Sequence, residues 1–379
     1  MYPERERSCS EERRRIMRRI SRKVVCGGVV IGGGAPVAIQ SMTNTDTRDV
    51  RATADQIRRL EEAGCEIVRV SVPDQQAADA LKEIRKFCRL PLVADIHFDY
   101  RLAVESIRNG ADKIRINPGN IGAEENVSAV VKAAKERRIP IRIGVNSGSI
   151  ERDLLKKYGG PCAEGLAESA LRNVQMVRNM GFEDIVLSAK ASDAVMNYQA
   201  HLLIADKTDC PLHIGVTESG TPSVGIVKSA AGLGALLLAG IGDTIRVSLT
   251  ADPVKEIPVA REILKSTGYF PGGIDFVSCP TCSRCKTDLT RIADEIMAQL
   301  GGIEKDMLDK KMPRLKVAVM GCAVNGPGEA SDADFGIACG DGKGVYFRGG
   351  KIVKTVAEEE ITDLVISEIR QFVSEIYHS

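Results

Sequence analysis

The chain has 379 residues, enough for two domains, and its 52 basic and 51 acidic side chains leave a net charge of +1. That balance, with no tryptophan and 4% aromatic residues, argues against a nucleic-acid binder, which needs a basic face or stacking rings. No apolar run approaches the roughly 18 residues of a membrane span, and no basic segment leads into a signal-peptide core, so a cytoplasmic protein without a membrane partner is expected.

The first residues, Arg5 to Lys23, crowd arginines among Glu6, Glu11 and Glu12, which reads as a solvated tail or fraying helix, with residues 1–34 as a lead-in. From Pro36 to about Gly268, β-branched runs alternate with amphipathic stretches. Eight runs begin near Val37 (VAIQSM), Ile67 (IVRVSV), Leu92 (LVADIHF), Lys113 (KIRINPG), Ile141 (IRIGVN), Ile185 (IVLSAKAS), Leu212 (LHIGVTE) and Thr244 (TIRVSLT). Between them lie helical spacings such as Ala54, Ile57, Leu60 and Ala63. Eightfold β-α alternation predicts an α/β fold, a (β/α)8 TIM barrel over residues 35–268. A doubly wound open sheet is the alternative, but Gly32-Gly33-Gly34 precedes the first strand instead of following it. Asp252-Pro253 is expected to open the last barrel helix.

After Gly268 the alternation stops, and Phe270-Pro271-Gly272-Gly273 makes a junction. Residues 269–379 read as a smaller α+β domain. Its helix runs from about Asp288 to Leu300, strands follow at Leu315–Met320 and Gly344–Val356, and a helix from Glu358 to about Tyr377 ends it.

Four barrel strands carry an arginine inside an apolar run: Arg69, Arg115, Arg142 and Arg246. Strand alternation puts Ser71, Asn117, Asn146 and Ser248, respectively, on the same faces, while Asp95 and His97 share a face of the third strand and Lys190 interrupts the sixth. Turned inward near the carboxyl ends of the strands, these cations converge on the mouth where barrel active sites lie. Asp95 and Glu218 do not balance five cations, so a ligand with several negative charges, such as a diphosphate, is expected there.

The smaller domain opens with Cys279-Pro-Thr-Cys282-Ser-Arg-Cys285, and Gly321-Cys322 and Asn325-Gly326-Pro327-Gly328-Glu329 follow. Two cysteines separated by two residues, with a distant third thiolate, suit zinc or iron–sulfur chemistry, and the spacing does not choose between them. Structural zinc sites show two tidy ligand pairs, whereas here one distal cysteine stands near a carboxylate, which suits a cluster with an exchangeable ligand. The other cysteines are scattered and read as packing residues.

These residues together resemble a known family. Gln40-Ser41-Met42-Thr43-Asn44-Thr45, Ala94-Asp95-Ile96-His97-Phe98, Arg115-Ile116-Asn117-Pro118-Gly119-Asn120, Gly144-Val145-Asn146 and Ser188-Ala189-Lys190-Ala191-Ser192-Asp193 are similar to motifs of the 4-hydroxy-3-methylbut-2-enyl diphosphate synthases. So are Arg246-Val247-Ser248, the segment from Ser278 to Arg284, and Gly321-Cys322 with Val324 to Ala330. The resemblance implies a bacterial two-domain enzyme that reductively opens 2-C-methyl-D-erythritol 2,4-cyclodiphosphate and removes a hydroxyl with two electrons. It also implies a 4Fe-4S cluster on Cys279, Cys282, Cys322 and Glu329, reduced flavodoxin or ferredoxin as donor, and a homodimer. Cys285 departs from the family pattern and is a rival fourth ligand. A zinc-containing barrel enzyme acting on a phosphate ester without redox chemistry, or a binding protein with a zinc module, are the competing readings.

Overall fold

The computed structural model describes residues 17–270, 272–310, 312–322, 330 and 332–377. The chain divides into two compact units between Tyr269 and Phe270.

In the first unit, a hairpin of β1 (Val24–Cys26) and β2 (Val29–Ile31) precedes eight parallel strands. These are β3 (Ala38–Met42), β4 (Ile67–Ser71), β5 (Leu92–Asp95), β6 (Lys113–Ile116), β7 (Ile141–Asn146), β8 (Ile185–Lys190), β9 (His213–Gly215) and β10 (Thr244–Arg246). They are neighbours in the order β8-β7-β6-β5-β4-β3-β10-β9, and a parallel bridge from Leu187 to Leu212 brings the two ends of that order together. The expected TIM barrel is therefore formed. Its helices are α1 (Val50–Glu62), α2 (Gln75–Ile84), α3 (Tyr100–Arg108), α4 (Pro118–Ile121), α5 (Glu124–Arg137), α6 (Arg152–Tyr158), α7 (Ala163–Asn179), α8 (Ala194–Lys207), α9 (Pro222–Leu238) and α10 (Glu256–Ser266). Aspartates end several strand-to-helix turns as caps: the side chains of Asp49, Asp74, Asp99 and Asp193 each accept from a first-turn backbone N–H. Asp252 caps a 3-10 turn at Pro253–Lys255, and α10 begins only after it.

The register fixes what fills the barrel. Gln40 pairs with Ile67, Arg69 with Val93, Val93 with Lys113, Arg115 with Arg142, Arg142 with Val186, and Thr244 with both His213 and Ala38. Followed around the barrel, these pairs return to β3 two residues further on for each pair of strands crossed, so inward side chains stack in layers of four from alternate strands. From the amino-terminal end upward the layers are Ile67, Lys113, Val186 and Thr244; then Gln40, Val93, Arg142 and His213; then Arg69, Arg115, Ser188 and Arg246. Above them come Met42, Asp95, Gly144 and Gly215.

The lead-in differs from its sequence reading. Residues 17–23 are not a solvated tail: Arg18 bonds the Ala35 carbonyl and, at 3.1 Å, Asp243 Oδ1, while Arg19 reaches the carbonyls of Ala205, Thr208 and Cys210. Val24, Cys26 and Ile31 of the hairpin pack on Ala38, Ile67, Val93 and Val186. Arginines that look solvated in sequence here satisfy backbone carbonyls at loop ends. The remainder of the arginine-rich start, up to residue 16, lies outside the described residues.

The second unit is a five-stranded mixed sheet of β11 (Ile274–Ser278), β12 (Leu315–Met320), β13 (Phe335–Gly340), β14 (Lys343–Arg348) and β15 (Lys351–Ala357), in that order. The first three are parallel and the last two antiparallel. Two helices, α11 (Leu289–Asp309) and α12 (Ile361–Tyr377), bury Ile292, Ile296, Val365 and Ile369 against Val317, Val319, Phe335 and Ile337. Three features differ from expectation: β11 and β13 are additional strands, α11 extends to Asp309, and Gly344–Val356 is a hairpin. Gly349 and Gly350, with φ of 55° and 74°, turn that hairpin in the left-handed region that glycine tolerates.

Candidate active site

Two sets of chemically capable side chains stand out, one in each unit.

In the barrel, Asp95 is the hub. Arg115 Nη1 donates to Asp95 Oδ1 at 3.1 Å, and Arg69 Nε lies 3.7 Å from Oδ2. Burial alone would raise the Asp95 carboxyl, but Arg69, Arg115 and Arg142 outweigh it and hold the group ionised well below the usual carboxylate range. Arg115 also donates to the Gly144 carbonyl at 3.2 Å. Burial, opposed by Asp95, leaves the Arg69 guanidinium at about 10. Burial also drives the Lys190 ammonium well down, and the cations Arg142, Arg246, Arg69 and Arg115 push the same way. Lys190 Nζ occupies the space above Gly215, where a β-carbon would be 2.6 Å away. So Arg69, Asp95, Arg115, Lys190 and Arg246 gather at the carboxyl ends of the strands, while Arg142, only 1% exposed, sits one layer deeper.

The other sequence candidates separate. Asn117 is buried and caps α4, its Oδ1 accepting from Gly119 N–H at 3.2 Å and its Nδ2 donating to Ser149 Oγ at 3.1 Å. Asn146 is exposed at the end of β7, and Ser248 is half-buried beyond β10. His97 Nε2 is 3.8 Å from Asp95 Oδ2 with half its side chain exposed. Glu218 is not an interior acid. The strand ends at Gly215, and Glu218 lies exposed on the following loop with φ of +55°.

A second buried carboxylate beside the mouth arginines belongs to a residue that the sequence did not flag, Glu256 at the start of α10. Its Oε2 accepts from Ser41 Oγ at 2.9 Å, its Oε1 from Leu249 N–H at 3.1 Å, and Arg246 Nε lies 3.7 Å away. A further missed cation is Lys113, fully buried at the start of β6. Its position, two residues before Arg115 on the same strand face, was the available signal.

In the second unit, β11 and β12 run parallel in register, Ser278 beside Val319, so Cys279 and Cys322 follow the same ends of adjacent strands. Gly321 N–H donates to Cys279 Sγ at 3.0 Å. Cys282 is exposed, and hydrogen bonds from Arg284, first its backbone and then its side chain, lower its thiol. Cys285 lies close by, its Sγ beside Gly321 and donating to the Thr287 carbonyl at 3.2 Å, and like Cys279 it packs against the helix-covered core. Among the described residues no three such side chains are already gathered as a metal site. The donor set, soft thiols at strand ends with a backbone N–H on one sulfur, nevertheless fits an iron–sulfur group. Glu329, with Asn325-Gly326-Pro327-Gly328, lies outside the described residues.

Fold and charge together define a TIM-barrel enzyme for a polyanionic substrate. The chain belongs to the GcpE family: the GcpE TIM-barrel domain matches residues 21–261 and the GcpE protein C-terminal domain matches residues 275–371. A relative from Caldanaerobacter subterraneus subsp. tengcongensis is 55% identical over 359 residues, covering 95% of this chain and 99% of its own length. One from Anoxybacillus flavithermus is 56% identical over 360 residues, covering 95% and 97%, and one from Thermodesulfovibrio yellowstonii is 52% identical over 356 residues, covering 94% and 100%. All three are named 4-hydroxy-3-methylbut-2-en-1-yl diphosphate synthase (flavodoxin). The chain is accordingly an oxidoreductase. Among the described residues no helix is long and apolar enough to cross a membrane.

Proposed function

We propose that the barrel cations bind the diphosphate of the substrate while Cys279, Cys282, Cys322 and Glu329 hold a 4Fe-4S cluster. The reaction is the reductive opening and dehydroxylation of 2-C-methyl-D-erythritol 2,4-cyclodiphosphate to 4-hydroxy-3-methylbut-2-enyl diphosphate. Two electrons enter, the ring C–O bond breaks, and the hydroxyl leaves as water after taking a proton. Once bound, the cluster supplies the electrons singly and a Lewis-acidic iron.

The observation that carries this reading is the surplus of cations around two buried carboxylates, Asp95 and Glu256. Opening the ring turns a linkage between two esters into a terminal phosphate, and a phosphomonoester carries about −1.5 to −2 at neutral pH. Negative charge on the diphosphate therefore grows during the reaction. A site with excess fixed positive charge favours the opened form over the cyclic one, which is where electrostatic preorganisation accelerates chemistry. Arg115, Arg69 and Arg246 bind and orient the diphosphate, Lys190 closes on it beside Gly215, and Arg142 supports it from below. Asn117, Asn146 and Ser248 add neutral hydrogen bonds at the rim. His97 and Glu218, on the mouth-side loops, complete the polar rim that meets the substrate.

A cytoplasmic homodimer supplied by reduced flavodoxin or ferredoxin completes the proposal, and sedimentation of the purified chain tests its dimeric part. For the reaction, protein purified without oxygen should be brown, contain iron and sulfide near about four per chain, and turn over the cyclic diphosphate with a chemical reductant. Stoichiometric zinc, with no iron taken up on anaerobic reconstitution, would overturn the cluster assignment.

A further inference from the structure

In the barrel, β3 runs between β4 and β10, and Met42 at its carboxyl end stands between the mouth arginines Arg69 and Arg246 that those two strands carry. Arg69 Nε donates to Met42 Sδ at 3.0 Å, and Arg246 Nη1 reaches the same sulfur at 3.7 Å. Among the described residues this thioether is the only hydrogen-bond acceptor that either guanidinium reaches. Arg69 Nε lies 3.7 Å from Asp95 Oδ2 and Arg246 Nε 3.7 Å from Glu256 Oε2, ion pairs beyond hydrogen-bond distance, whereas Arg115 bonds Asp95 directly. Both arginines are largely buried, with 11% and 17% of their side chains exposed. Arg246 is also one of the cations that push the Arg69 guanidinium down, so the two repel across the sulfur.

We infer that Met42 is a positioning residue of the diphosphate site, its sulfur accepting from Arg69 and Arg246 and so fixing the spacing at which the two guanidiniums meet the phosphates. The inference rests on the reading of the mouth cations as the diphosphate site. A thioether suits the task because it is a neutral, weak and polarisable acceptor. A carboxylate at position 42 would spend the positive charge that the substrate needs and would compete with its phosphates. An aliphatic side chain would leave both N–H groups without an acceptor and nothing to counter the repulsion between their charges. Charge-assisted bonds to phosphate oxygens are stronger than bonds to a thioether, so the arginines stay aimed in the free protein and transfer to the substrate when it arrives. Met42 is half-buried, which keeps it beside the ligand and not beneath it.

The test compares Met42→Leu, which keeps the volume and removes the acceptor, with Met42→Gln, which returns an acceptor at similar reach. Pyrophosphate binding to the full chain is measured by calorimetric titration, and the Arg69 Nε–H resonance is followed by nitrogen-15 spectroscopy, assigned by its absence in Arg69→Lys. Met42→Leu should bind pyrophosphate roughly tenfold more weakly, the scale of one lost contact, and displace the Arg69 resonance. Met42→Gln should recover most of the affinity. Parent-like affinity in Met42→Leu, or a Met42→Gln as weak as Met42→Leu, would overturn the inference, the second outcome assigning the loss to packing. A parent chain that does not bind pyrophosphate would instead overturn the diphosphate reading, and this role with it. Should both variants fail to fold, the parent grown with selenomethionine decides: an Arg69 Nε–H resonance that does not move denies the contact.

Discussion

A β-carbon on Gly144 would stand 2.4 Å from Arg115 Nε. The arginine therefore lies over the inner face of the neighbouring strand β7, in space that a side chain at position 144 would fill, and its guanidinium is aimed by Asp95 and by the Gly144 carbonyl. Gly144→Ala should fold, because the atoms it meets belong to a side chain, but it should displace the guanidinium. Pyrophosphate affinity is expected to fall about tenfold, equivalent to about 1.4 kcal/mol. Calorimetric titration of the purified variant checks this. Unchanged affinity would mean that Arg115 is a structural partner of Asp95 and no ligand of the diphosphate.

Arg115→Ala and Arg246→Ala should weaken cyclic diphosphate binding while leaving iron content at the parent level, since the thiols belong to the other unit. Each variant removes a charge-assisted contact worth roughly 1.5–3 kcal/mol. Binding and anaerobic iron analysis on the same preparation separate the outcomes. Parent-like affinity in either variant removes that arginine from the site, and loss of iron makes the two units interdependent.

The barrel was legible because each of its strands is a short β-branched run and stretches of helical spacing separate them. What stayed hidden did so for local reasons. β1 and β2 span three residues each, too few for a period to show, and Arg18 and Arg19 look solvated until the carbonyls they satisfy are seen. β13, with sequence FGIACG, mixes glycines and a cysteine into its strand. Lys113 begins its strand, where a lysine reads as a rim residue reaching for solvent. Glu256 sits in a first helical turn, where an acid is explained by the helix dipole alone. Glu218 was misplaced because the run LHIGVTE looks like one strand, although pairing stops at Gly215.

Acid should destabilise the barrel through His201. It is fully buried on α8, with Nδ1 2.7 Å from the Asn197 carbonyl, and burial pulls its pKa down to about 4. In the unfolded chain a histidine titrates near about 6.5. Between these values the unfolded state binds more protons, so stability rises with pH across that window and is lost as pH falls from about 6.5 towards 4. His201→Gln should flatten that part of the stability profile, measured by denaturant unfolding at several pH values. An unchanged slope would assign the acid sensitivity to other groups, His213 first.

Among the cysteines, Cys285→Ser should keep its iron, while Cys279→Ser, Cys282→Ser and Cys322→Ser should lose it. Cys285 Sγ is directed at the Thr287 carbonyl and packed on the core, and a β-carbon on Gly321 would stand 2.7 Å from it, so the thiol fills a packing niche. Cys279, packed on the same core, receives a backbone N–H on its sulfur, and Cys282 is exposed. Anaerobic iron and sulfide analysis of the four variants decides. Loss of iron in Cys285→Ser with retention in one of the others would exchange their assignments.

Glu329 gives the sharpest contrast between a ligand and a turn residue. A carboxylate on one corner of a thiolate cluster is the hard, exchangeable ligand, so a substrate oxygen is able to replace it where a fourth thiolate would resist. Glu329→Cys should therefore retain iron, show an altered cluster spectrum and lose nearly all turnover. If Glu329 only closes the turn after Asn325-Gly326-Pro327-Gly328, then Glu329→Gln should turn over close to normally. Anaerobic turnover with a chemical reductant, measured beside the spectrum with and without substrate, separates the two. Normal turnover in Glu329→Gln, with a parent spectrum indifferent to substrate, would transfer the fourth position to Cys285.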